Sequence, residues 1–197
     1  MKSGQRIMWI GVIAGVALVA AVLVSNLPST GLDSLMFSPM LFGPPVALGF
    51  FIAKRLRWFG AIYLAALIAT AYYAAFWTGF YVYDKLGPAE CFLCNTQPPP
   101  PPLMQKLWAD AISGACGGAV GSLLNFAGLA LLARDLRDKR ARKIALWSVL
   151  ALTVVGAAGM CAAEIDALSN TSLVLFVPWQ LAFGAALIAL LGPRQAR

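Results

Sequence analysis

Long apolar runs, separated by short polar or proline-rich segments, dominate the pattern of this chain. A helix of roughly 20 apolar residues is long enough to cross a bilayer, and it satisfies its own backbone hydrogen bonds in lipid. The pattern therefore predicts an all-α, polytopic membrane helix bundle that forms a single domain over residues 1–197. The six predicted transmembrane helices cover residues 7–26, 35–53, 58–83, 108–133, 144–163 and 172–191.

Two of these spans have an alternative interpretation. Lys2 and Arg6 precede the first run, as in a signal peptide, but the run is long and lacks a small-x-small cleavage site. An uncleaved anchor is therefore predicted. Pro39, Pro44 and Pro45 interrupt the second run, and proline kinks or breaks a helix because it has no N–H donor. The second run is predicted to span as a kinked helix, and a re-entrant hairpin, which would leave five spans, is the alternative.

Basic residues alternate between the two sides of the predicted bundle. They precede the first run, fill the turns at 54–57 and 134–143 and follow the last run, whereas the opposite side has only Lys85 and Lys106. Because positively charged loops stay in the cytoplasm, both termini are predicted to be cytoplasmic and the connection 84–107 to be external. The net charge of +7 is then explained by topology and by contacts with anionic membrane lipids, so no nucleic-acid partner is predicted.

Acidic residues have the opposite distribution, and most of them fall on the predicted external side. A cation or a basic partner could bind there. We interpret them instead as residues that are tolerated outside, because acidic residues have little influence on topology. The residues concerned are Asp33, Asp84, Glu90, Asp110, Glu164 and Asp166.

The composition agrees with a membrane-embedded chain. Hydrophobic residues make up 60% of the 197 residues and charged residues 12%, whereas about 25% of the residues in a soluble domain are charged. No charged residue lies near the centre of a predicted span, and the chain has no histidine. This disfavours ion-coupled transport and proton pumping, which usually need an ionisable group in the membrane. Aromatic residues in mid-span, such as Tyr72 and Tyr73, are interpreted as packing residues rather than as a ligand box.

Small residues recur at every fourth position of the fourth predicted span and form two neighbouring rows on the helix. Side chains of this size let another helix approach closely. The first row is therefore predicted to be a helix-packing face, used either within the chain or in a homo-oligomer or partner contact through helix 108–133. Asn125 needs a polar partner in the membrane, for which Gln180 is the candidate. The first row is Ser113, Gly117, Gly121 and Asn125, and the second is Gly114, Gly118 and Ser122.

One candidate chemical group is the dithiol of Cys91 and Cys94 in the external connection. Its spacing resembles the dithiol of membrane thiol oxidoreductases such as the DsbB and vitamin K epoxide reductase families. Those families relay electrons to or from quinone through a second external cysteine pair or loop cysteines, and this sequence has no second external pair, so the chain is not assigned to them. Cys161, near the outer end of the fifth span, is the candidate third thiol, and Cys116 is interpreted as an ordinary buried thiol.

The leading functional hypothesis is an accessory or structural multi-pass protein of a bacterial inner membrane, and an enzyme is not favoured. The alternative is an externally facing thiol–disulfide oxidoreductase that uses Cys91 and Cys94. The third hypothesis is a small channel or carrier for neutral solutes. No cofactor and no metal site are predicted, since a closed zinc site needs four ligands, usually Cys or His, and the dithiol supplies two.

Overall fold

The computed structural model describes residues 3–25, 41–86, 102–132, 138–165 and 171–192, and in these ranges the chain is helical with short turns and no strand. Five of its helices are long and apolar enough to cross a bilayer, and one is a shorter apolar helix. The helices are α1 (Ser3–Ser25), α2 (Gly43–Ile52), α3 (Trp58–Leu86), α4 (Leu103–Leu132), α5 (Lys139–Ile165) and α6 (Thr171–Leu191).

The helix α2 differs most from the predicted span 35–53. It has 10 residues, which is about 15 Å at a rise of about 1.5 Å per residue, or roughly half of the hydrocarbon thickness. Pro44 and Pro45 lie in its first turn, where a missing N–H costs no intrahelical hydrogen bond. These two prolines therefore begin a helix rather than kink the middle of one. Residues 35–40, including Pro39, lie outside the described residues.

A tight turn with two characteristic hydrogen bonds joins α2 to α3. Lys54 has a positive φ of 55°, and its N–H donates to the carbonyl of Phe51 at 2.9 Å. The N–H of Arg55 donates to the carbonyl of Phe50, also at 2.9 Å. This is the Schellman arrangement, in which a left-handed residue, usually glycine, ends the helix. The turn reverses the chain so that α2 packs against the first half of α3.

Neighbouring helices in the sequence are also neighbours in space. Each helix from α1 to α5 packs against the next one, and α6 packs against both α5 and α1, so the six helices form a closed ring. The most extensive contacts are those of α4 with α3 and α5. Elements that follow one another in the sequence usually lie side by side, and this arrangement places α4 between two close partners.

At one end of the ring, which we call the filled end, large side chains occupy the interior. This is the end at which the α2–α3 and α4–α5 connections lie. Phe183 of α6 is fully buried, and its ring centroid lies 6.5 Å from that of Phe42 and 6.1 Å from that of Phe126. Other fully buried side chains of this end are Met8, Val12, Val46, Phe50, Leu64, Leu129 and Leu187.

Candidate functional site

At the opposite end, which we call the cavity end, α3, α4, α5 and α6 border a partly open cavity of about 410 Å³. The second halves of α3 and α5 and the first halves of α4 and α6 form its walls, while α1 and α2 contribute none of the lining residues. Most of the lining is apolar. A concave, largely apolar space of this volume is typical of sites for small organic molecules.

Glycine residues bring α4 and α5 into backbone contact along one wall of the cavity. A Cβ atom added to Gly114 would collide with the carbonyl of Gly156, and one added to Gly156 would collide with the carbonyl of Gly114. One helical turn further along α4, a Cβ atom at Gly118 would lie 2.6 Å from the carbonyl oxygen of Leu152. Only residues without a side chain permit this approach. The same residues have no side chain to fill the space between the four helices.

The predicted packing row of α4 lies against α3. The hydroxyl of Ser113 donates to the carbonyl of Gly79 at 2.8 Å. A Cβ atom at Gly117 would lie 2.8 Å from the carbonyl oxygen of Ala75, and one at Gly121 would lie 2.8 Å from the Cβ atom of Ala75. The neighbouring row, with Gly114 and Gly118, faces α5, so the two rows serve two different helix contacts.

Asn125 and Gln180 are both buried, but no hydrogen bond joins them. The Nδ2 atom of Asn125 donates to the carbonyl of Gly121 on its own helix at 3.0 Å. Its Oδ1 atom and both polar atoms of the Gln180 side chain have no hydrogen-bond partner among the described residues. The structure therefore lacks the expected Asn125–Gln180 hydrogen bond, because the asparagine amide instead bonds a carbonyl one turn back along α4.

Aromatic side chains line the cavity from two helices. On α3 they recur every four residues, and the ring centroid of Tyr72 lies 6.3 Å from that of Phe76 and 5.6 Å from that of Phe176 on α6. Tyr72, interpreted from the sequence as a packing residue, both packs against these rings and lines the cavity. The six aromatic lining residues are Tyr72, Phe76, Phe80, Tyr83, Phe176 and Trp179.

Asp110 contributes a carboxyl group to the cavity wall and is only 5% exposed. From the sequence, Asp110 is expected among the tolerated external acids, because it lies close to the predicted start of the fourth span. In the structure α4 begins at Leu103, so Asp110 lies about two turns inside the helix. Its spacing to Ser113, Gly114 and Gly117 places it on the same helix face. That spacing is the sequence signal that could have identified it.

The described thiols lie at or near this end of the bundle. Cys116 and Cys161 are free and half-buried, and the Sγ atom of Cys161 donates to the carbonyl of Leu107 at 3.5 Å. This contact joins the end of α5 to the beginning of α4. Cys91 and Cys94 lie outside the described residues, so the structure carries no information on the predicted dithiol.

The architecture defines the class of the chain as a multi-pass membrane protein with an all-helical bundle over its described residues. No protein-family model matches the chain, and comparisons with curated proteins and with solved structures found no match. The cavity and the residues that surround it are therefore the features from which a function can be proposed.

Proposed function

We propose that this chain is an accessory subunit of a bacterial inner membrane that holds a small, largely apolar molecule in the cavity between α3, α4, α5 and α6. The observation that carries the proposal is the cavity itself, with aromatic walls and a buried carboxyl group from Asp110. A bundle with a purely structural role would be expected to fill this partly open space with its own side chains, because its lining forfeits van der Waals contacts with protein atoms. A bound molecule would restore those contacts.

The proposed orientation puts both termini in the cytoplasm and the cavity end outside. The alternation of basic residues supports it, because Lys54, Arg55 and Arg57 adjoin the filled end. Reporter fusions at Arg197 and at Glu90 should then indicate opposite compartments. Fusions that indicate the same compartment would contradict this orientation, and the cavity would no longer be assigned to the external half of the membrane.

Photolabelling tests the binding proposal directly. The protein in liposomes is exposed to a neutral phenyl(trifluoromethyl)diazirine, and the labelled residues are mapped by mass spectrometry. Labelling of the cavity residues Met160 and Phe176 should be suppressed by excess neopentylbenzene. Labelling of the exposed α5 residues Trp147 and Leu150 should persist, since they lie on the outer surface of the bundle and outside the cavity lining. Labelling confined to exposed residues would contradict the proposal.

A matched pair of glycine variants sharpens this test. Gly79 lines the cavity, and a Cβ atom there would lie 3.4 Å from the nearest atom, the carbonyl oxygen of Ser113, which is an ordinary contact. The Cβ atom of Gly79→Leu is therefore accommodated, and we expect its longer side chain to occupy part of the cavity and abolish the suppressible labelling, with an unchanged melting temperature as the check on folding. Gly4→Leu is the control, because Gly4 lies outside the cavity and a Cβ atom there would be 3.9 Å from the carbonyl of Ala53.

A thiol–disulfide oxidoreductase is the second candidate, and one topological observation favours it. The helix α3 ends at Leu86 and α4 begins at Leu103, so the connection that carries Cys91 and Cys94 leaves and re-enters the bundle at the cavity end. In this function the Cys91–Cys94 disulfide would oxidise a partner's dithiol by exchange, and the two electrons and two protons would pass to the cysteines.

Trapping of mixed disulfides separates the two candidates. A Cys91→Ser or Cys94→Ser variant of an oxidoreductase leaves one thiol that stays joined to the partner. Under the leading proposal we expect no trapped partner and normal function of the double serine variant. A trapped partner would favour the oxidoreductase. The third hypothesis, a neutral-solute channel, receives no support from the filled end, where the buried Phe183 packs against Phe42 and Phe126.

A further inference from the structure

We infer that the molecule held in the cavity is an organic cation, that is, a small amine or quaternary ammonium compound with apolar substituents. This inference rests on the proposed function and adds the charge class of the ligand. It is drawn from the combination of three properties of the lining: aromatic walls on two helices, one buried carboxyl group, and no basic side chain among the described lining residues.

Aromatic rings from α3 and α6 form much of the cavity wall and favour a cation. Tyr72, Phe76 and Phe80 form a stripe along α3, with centroids 6.3 and 6.5 Å apart between successive rings. Phe176 and Trp179 line the cavity from α6. The face of an aromatic ring is electronegative and attracts a cation, and several rings around one space attract it together.

The carboxyl group of Asp110 also favours a positively charged ligand. It is 5% exposed and lies in the wall of a space whose described lining contains no lysine or arginine. A carboxylate removed from water is stabilised by a nearby positive charge, and a negatively charged ligand would be repelled by it in this low-dielectric surrounding. Lys106 precedes Asp110 by one helical turn and lies outside the lining, so the Asp110 carboxyl group is the charged group that the described lining presents to a ligand.

The same lining disfavours a bare metal ion. Hard cations such as Ca²⁺ and Mg²⁺ require about six or more oxygen ligands, including water, and the described lining offers a single carboxyl group. The volume of about 410 Å³ is also far larger than one ion needs. An organic cation uses both the volume and the rings, because its substituents pack against the apolar wall while its charge lies near Asp110.

A set of probes with matched shape tests the inference. Benzyltrimethylammonium and neopentylbenzene differ by the exchange of a positively charged nitrogen for a neutral carbon, and phenylmethanesulfonate is an anion of similar size. Each competes with the diazirine for labelling of Met160 and Phe176 in liposomes. We expect the cation to compete at a concentration roughly tenfold lower than the neutral probe, and the anion to compete least. This comparison needs only the unmodified protein.

The variant Asp110→Asn tests whether the preference for the cation comes from the carboxyl group of Asp110. It should remove most of the advantage of the cation while leaving competition by neopentylbenzene unchanged, which also shows that the cavity is still formed. Equal competition by the cation and the neutral probe in the unmodified protein would overturn the inference but leave the proposed function standing. An undiminished preference for the cation in Asp110→Asn would have the same two consequences. If no probe competes, both the inference and the proposed function fail.

Discussion

The two ends of the bundle contrast in how the space between the helices is occupied. At the filled end, the rings of Phe42, Phe126 and Phe183 meet in the interior. At the cavity end, the backbones of α4 and α5 touch at Gly114 and Gly156, and a space of about 410 Å³ remains beside them. The transition from an open to a filled interior occurs along the single helix α4. Its inward-facing residues are small in its first half and large near its end.

The comparison shows that tight helix contact and a filled interior are separate properties. Helices in lipid gain little from the hydrophobic effect when they associate, so van der Waals packing and hydrogen bonds hold them together. At the cavity end, glycine residues give close backbone contact between neighbouring helices but leave the centre open. At the filled end, side chains from several helices converge on the centre, and we expect this end to contribute more of the free energy of unfolding.

The largest expected effect is that of Phe183→Ala at the filled end. It would leave a void among Phe42, Phe126 and their neighbours, and such substitutions cost about 3–5 kcal/mol in protein cores. The free energy of unfolding, measured by denaturant titration in detergent micelles, should fall accordingly. Phe80→Ala is the control, because Phe80 at the cavity end is 51% exposed. An equal loss for both variants would remove the distinction between the two ends.

A smaller effect is expected for Gly156→Ala at the cavity end. The new methyl group would collide with the carbonyl of Gly114. This collision is relieved only if the backbone of α4 moves away from α5. Overpacking of this kind typically costs about 1–3 kcal/mol. Gly4→Ala is the matched control, since its methyl group would have no atom closer than 3.9 Å. The two melting temperatures should differ clearly, and identical values would show that α4 and α5 are not in backbone contact.

The smallest effect is expected for Ser113→Ala, which removes the hydrogen bond from α4 to the carbonyl of Gly79. Hydrogen bonds between membrane helices average about 0.6 kcal/mol. Thr70→Ala serves for comparison, because Thr70 bonds the carbonyl of Ala66 within its own helix. The unfolding free energy should fall for the serine variant and hardly change for the threonine variant. The reverse order would mean that this contact does not join α3 to α4.

The apolar runs predicted the long helices, but they marked the membrane-embedded part rather than the helix ends. The helix α5 begins at Lys139, five residues before the predicted span, because charged residues outside the bilayer can continue a helix. Asp138 signals this start, since its Oδ1 atom accepts a hydrogen bond from the N–H of Ala141 at 2.6 Å, as an N-cap residue does. A hydropathy pattern does not contain this local information.

The cavity could be predicted only in part. The small residues of α4 are evident from their spacing, and in the structure Gly117 lies against α3 and Gly114 against α5. The partner glycine, Gly156, belongs to a different span, and a single sequence does not specify which faces of two helices meet. Asp110 was missed for a related reason. Its position near a span end suggested exposure, whereas its burial depends on the helix face that it shares with Ser113.

The turn between α2 and α3 has a consequence for biosynthesis. Lys54 occupies the left-handed position at which glycine is conformationally favoured, by about 1 kcal/mol or more. A Lys54→Gly variant should therefore form a more stable turn. Under the proposed orientation, it would also remove one of the positive charges that favour retention of this segment on the cytoplasmic side during insertion. At position 54, glycine would therefore give the more stable turn, whereas lysine favours the proposed orientation of the segment during membrane insertion.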